Sequence, residues 1–113
     1  MSKRTPTLLL EDILESANKI MEYTKGLTFD DFEKDIKTID AVIRNFEIIG
    51  EAANLLPEEL KQKFPEIDWY RIRGFRNRIV HDYFGVDINI LWNITLDQIP
   101  DLIISISRII QDF

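Results

Sequence analysis

The chain has no cysteine, which excludes disulfide staples and thiolate chemistry. It has one histidine, His81, and without cysteine a single imidazole makes no standard zinc site within one chain. Its four glycines form neither a GxxxxGKS/T nor a GxGxxG phosphate loop, and no serine sits in a nucleophile elbow. No apolar run reaches the roughly 18 residues that a membrane helix needs. The apolar stretch near the start stops at Glu11, too soon for a secretory signal, so the expected location is cytoplasmic. Asn-Gly hairpin turns and sustained two-residue alternation are both missing, which argues against strands. Repeats, linkers and low-complexity stretches are missing too.

What is present is a chain of 113 residues, 45% hydrophobic and 30% charged, enough for one globular domain spanning 1–113. Asp and Glu number 20 against 14 Lys and Arg, for a net charge of −6. That balance alone argues against generic nucleic-acid binding. The distribution is uneven, however. Residues 69–81 hold Arg71, Arg73, Arg76 and Arg78 and no acid, so one short basic segment sits on an acidic body.

Helix signals punctuate the chain. Thr5 before Pro6 is a cap followed by proline in the first turn, and Leu9, Ile13, Ala17, Ile20 and Tyr23 follow at helical spacing. Gly26 is placed to end that helix. Thr28 and Asp31 form a capping box for the short stretch FDDFEK. Asp35 opens a second long helix with Ile36, Ile39, Ile43, Phe46, Ile49 and Ala53 on one side, closed by Pro57. A short turn, PEELKQKF, follows. Asp68 caps a third helix expected from Trp69 to about Tyr83, ended by Gly85. Asp87 caps INILWNIT, and Asp97 caps a last helix with Pro100 in its first turn. The expectation is an all-α, up-and-down bundle of four to five main helices. The last helix is apolar nearly all round, which reads as a central core helix or as part of a dimer interface.

The third helix carries the chemistry. At about 100° per residue, with Arg76 as zero, Ile72, Ile79 and Phe75 form an apolar stripe edged by Arg76 and Tyr83, while His81 falls near 140° beside Asn77. On a straight helix Arg76 and His81 of one chain point apart. They converge if the helix loosens near His81, or if a second chain brings its copy alongside. Gly74 would permit close approach by another backbone. The arginines read equally as a solvated face, or as partners of Glu47 and Glu51. Trp69, Tyr70, Phe75 and Phe84 read as packing.

The stretch RNRIVHDY fits R-x4-H-x-Y as Arg76, His81 and Tyr83, with a polar residue, Asn77, after the arginine. The wider text IGEAANLLPEELKQKFPEIDWYRIRGFRNRIVHDYFGVD resembles the HepT-like proteins of the HEPN superfamily, and the resemblance covers nearly the whole chain. It implies a helical homodimer that is the toxin of a toxin–antitoxin pair, a metal-independent endoribonuclease needing no cofactor. It also implies a small nucleotidyltransferase antitoxin that transfers AMP to the motif tyrosine, here Tyr83. On that basis His81 is the general acid/base and Arg76 the transition-state cation. Asn77 contacts substrate, Arg73 and Arg78 are lesser phosphate contacts, and Glu51 orients Arg76. Two other readings compete: a non-catalytic substrate-binding partner of a small nucleotidyltransferase, and a helical dimerisation module without a site.

Overall fold

A computed structural model describes residues 4–75 and 87–112. Seven helices lie among them: α1 Pro6–Thr24, α2 Phe29–Lys34, α3 Ile36–Leu55, α4 Glu58–Lys63, α5 Trp69–Arg73, α6 Ile88–Asp97 and α7 Ile99–Asp112. No strand occurs among the described residues, and the fold is all-α.

Local side-chain chemistry starts most of these helices where the sequence places them. The Thr5, Asp68 and Asp87 side chains accept from the backbone N–H of Leu8, Arg71 and Ile90. Thr28 and Asp31 close a reciprocal capping box, each side chain accepting from the other's backbone N–H at 3.1 Å. Asp35 accepts from both the Thr38 hydroxyl (2.7 Å) and the Thr38 N–H (3.1 Å). The hydroxyl bond first, and the backbone bond second, hold the Asp35 carboxyl below its ordinary pKa. Gly26, at φ 78°, turns the chain after α1 through the left-handed region that favours glycine.

The centre of the bundle is α1, which packs on α3 along one side and on α7 along another. Leu10, Ile13, Ala17 and Ile20 are fully enclosed there, and full burial of such an aliphatic side chain is worth about 1.5–3 kcal/mol. Buried polar groups are satisfied within their own helices: Thr24 and Thr95 hydroxyls donate to Ile20 and Leu91 carbonyls, and the Asn45 amide donates to Ala41.

Four expectations change. The last helix, α7, is not the central one. It buries the stripe Ile99, Leu102, Ile106 and Ile109 and leaves Ile104 exposed. Asp97 does not cap it, because α6 continues to Asp97 and Gln98, still near helical geometry, joins the two helices while its carbonyl accepts from the Leu102 N–H. Tyr23 and Ile36 lie at the ends of their apolar stripes and are exposed. The third helix is not continuous: α5 stops at Arg73, Gly74 is a turn, and Phe75 is helical again. No described helix is long and apolar enough to cross a membrane.

Candidate functional site

Construction of the site begins with the contact between α3 and α5. Gly50 lies on α3 where the end of α5 crosses it. A Cβ built there would sit 3.4 Å from the Arg73 carbonyl oxygen and 3.6 Å from that of Ile72. The backbone of α5 can therefore lie almost directly on α3. Among the described residues Gly74 makes no such approach: a Cβ on it would meet the carbonyls of Tyr70 and Arg71 in its own segment, at 3.3 and 3.7 Å. Its own N–H donates to both of those carbonyls at 3.1 Å, which tightens the last turn of α5 and ends it.

Three side chains fix α5 in place. Ile72 is buried. The Trp69 indole N–H donates to the Phe64 carbonyl at 3.2 Å. Phe75 is buried edge-to-face against Phe46 of α3, ring centroids 5.3 Å apart and planes at 87°. Phe75 immediately precedes Arg76 in the chain, so the α3 core anchors the residue that leads into the motif.

An open groove of about 310 Å³ runs along α3 beside this contact, lined by Arg44, Glu47, Gly50, Glu51, Asn54 and Arg73. Of the residues expected from sequence, the structure brings Glu51 and Arg73 together here. The others, Arg76, Asn77, Arg78, His81 and Tyr83, lie outside the described residues, as do Gly85 and Phe84. Arg44 and Asn54 are additions. Their signal was the spacing 44, 47, 51, 54, which lays four polar side chains on one face of α3. Two arginines and two glutamates line this groove. It can therefore hold phosphate oxygens on the arginines and accept from base amino groups on the glutamates.

Tyr70 departs from its packing assignment. It is 79% exposed, and the Arg73 guanidinium lies 5.7 Å from its ring centroid. Phe32 and Phe46 are buried, and Trp69 and Trp92 half-buried.

Comparison with known proteins gives a consistent result. The family described as "Ribonuclease HepT-like" matches residues 13–109. "Putative RNase MJ0127" of Methanocaldococcus jannaschii is 41% identical over 99% of this chain and 93% of its own length. "Putative RNase TTE0752" of Caldanaerobacter subterraneus subsp. tengcongensis is 40% identical over 96% of each. "Probable ribonuclease HepT" of Thermococcus cleftensis is 44% identical over 88% of this chain and 91% of its own length. No solved structure gives a significant match.

Proposed function

The chain belongs to the HepT-like ribonuclease family, and from that premise we propose that it is the toxin of a toxin–antitoxin pair, a homodimeric endoribonuclease that cuts RNA without a metal. The observation that carries this reading is the family match over residues 13–109 together with the complete motif Arg76, His81, Tyr83.

The chemistry is that of an internal displacement. The substrate's 2′-oxygen attacks the adjacent phosphorus, its proton goes to a base, and the bond from phosphorus to the 5′-oxygen breaks as an acid protonates that oxygen. The products are a 2′,3′-cyclic phosphate and a 5′-hydroxyl. Imidazole, with an ordinary pKa of about 6.5, suits both proton steps near neutral pH. One chain has one histidine, and a twofold dimer supplies two, one neutral and one protonated. Arg76 stabilises the charge that grows on the phosphorane, its planar fork matching two of the oxygens. Asn77 positions the substrate. Arg73 and Arg78 hold neighbouring phosphates, and Glu51 orients Arg76. The end of α5 resting on Gly50 supports this arrangement by holding Arg73 against α3.

Silencing follows from Tyr83, two residues beyond His81. A nucleotidyltransferase antitoxin transfers AMP from ATP to its hydroxyl, the tyrosine oxygen attacking the α-phosphorus as pyrophosphate leaves, which adds bulk and a negative phosphate beside the catalytic groups. Purified dimer should cut single-stranded RNA in excess chelator, while His81→Ala and Arg76→Ala do not. Co-expression with the antitoxin should add AMP mass to the peptide holding Tyr83 and abolish cutting. A chain that binds the nucleotidyltransferase stably but never cuts RNA alone would instead be a non-catalytic substrate subunit.

A further inference from the structure

Nothing in the proposed chemistry uses Tyr70, and yet its ring is displayed where core formation would hide it. On α5 the residues at 69, 72 and 75 turn inward: Trp69 is half-buried and Ile72 and Phe75 are buried. Tyr70 and Arg73, three apart, share the outer face. The short helix is held by its Asp68 cap, the Trp69 indole bond and the contact with Gly50. The ring is therefore carried on a supported backbone. One face lies under the Arg73 guanidinium, and its 79% exposure leaves the remaining aromatic surface to solvent.

We infer that Tyr70 is a stacking platform for an unpaired base of the RNA substrate, with Arg73 tying that base's phosphate to the groove on α3. The inference rests on the ribonuclease reading and adds a base-binding position to it. An exposed aromatic face beside an arginine complements what a single-stranded nucleotide presents, a flat π surface joined to a phosphate. Stacking of this kind accepts any base and needs no hydrogen-bond readout. Arg73 then serves two groups at once, with its planar face on the ring and its N–H edge on phosphate. Arg44 extends the cation track along the groove lined by Glu47 and Asn54. The platform contributes to binding and leaves the reacting atoms alone. Its loss should raise KM and leave kcat unchanged.

Because Tyr70 is exposed, Tyr70→Ala and Tyr70→Phe should both fold. The probe is a short 2′-O-methyl oligoribonucleotide, which cannot supply the attacking hydroxyl, used beside a cleavable RNA of the same sequence. Tyr70→Ala should weaken binding about thirty-fold, the middle of the range for one stacked base, and raise KM to match. Tyr70→Phe should bind like the wild type. Scanning single abasic sites along the oligonucleotide should find one position whose loss weakens the wild type but adds nothing to Tyr70→Ala. If the wild type cuts RNA and Tyr70→Ala binds it unchanged, the platform is refuted and the ribonuclease reading stands. If the wild type neither binds nor cuts RNA, both fall. If Tyr70→Ala keeps RNA affinity but no longer holds the antitoxin, the ring is a protein contact and the inference is overturned.

Discussion

The Phe46–Phe75 pair is the joint between the α3 core and the segment that leads into the motif, and its energy can be measured. Both rings are 1% exposed, with centroids 5.3 Å apart and planes near perpendicular, the edge-to-face geometry that aromatic quadrupoles favour. Changing either residue to leucine keeps the site apolar and removes part of its volume. Each single change should cost about 1–2 kcal/mol, within the usual range for lost core packing. The second change removes no further ring-to-ring contact, so the double variant should cost about 1 kcal/mol less than the sum of the singles. Domains of this kind are stable by about 5–15 kcal/mol, and all three variants should stay folded at room temperature. Urea denaturation followed by circular dichroism gives the four stabilities. Additivity within about 0.3 kcal/mol would refute the pairing. Activity supplies a second reading of the same cycle. Phe75→Leu loosens the residue before Arg76, and kcat should fall on the order of ten-fold while the protein remains folded.

Other expectations follow from single contacts. Gly50→Ala places its Cβ at ordinary contact distance from the Arg73 carbonyl and removes a helix-weakening glycine, so the thermal midpoint should hold or rise. Gly50→Val must displace the end of α5, and both the midpoint and RNA cleavage should drop. Asp35 is held below its ordinary pKa of about 3.9. Its stabilising effect is complete above that value and is lost as pH falls through the depressed native one. Asp35→Ala should therefore lower the thermal midpoint at neutral pH, and the gap from wild type should close in strong acid. Arg4 grips Asp12 through two bonds of 2.7 and 2.8 Å, but both groups are partly exposed. A double-mutant cycle there should give below about 1 kcal/mol, vanishing in high salt. Arg73→Ala should weaken RNA binding at all sequences alike and reduce the steepness of its salt dependence by about one phosphate contact.

Local chemistry made much of this fold readable from the chain alone. The caps at Thr5, Thr28, Asp35, Asp68 and Asp87 depend on residues three positions away at most, and each forms as expected. Asp97 misled for the same reason: an acid before Pro100 looks like a cap, but nothing local marks α6 as long enough to absorb it. The exposure of Tyr70 and the approach of α5 to Gly50 depend on which elements meet in space. Helical periodicity assigns a residue to a face and does not say whether another element covers it. The break at Gly74 is intermediate. The glycine is visible in the chain, but the doubled bond from its N–H that ends α5 is not, and approach of a second chain's backbone there is a separate expectation. In the candidate site, Glu51 and Arg73 line one groove because α5 crosses α3 at Gly50, a contact that helical periodicity does not give.

The central claim is that Arg76 and His81 cut RNA by internal attack of the 2′-oxygen. Mass spectrometry of the fragment ends, after digestion by the purified protein in excess chelator, tests it most directly. The account predicts 2′,3′-cyclic phosphate on one fragment and 5′-hydroxyl on the other, and no fragments from His81→Ala. Fragments bearing 5′-phosphate, or equal cutting by His81→Ala, would contradict it.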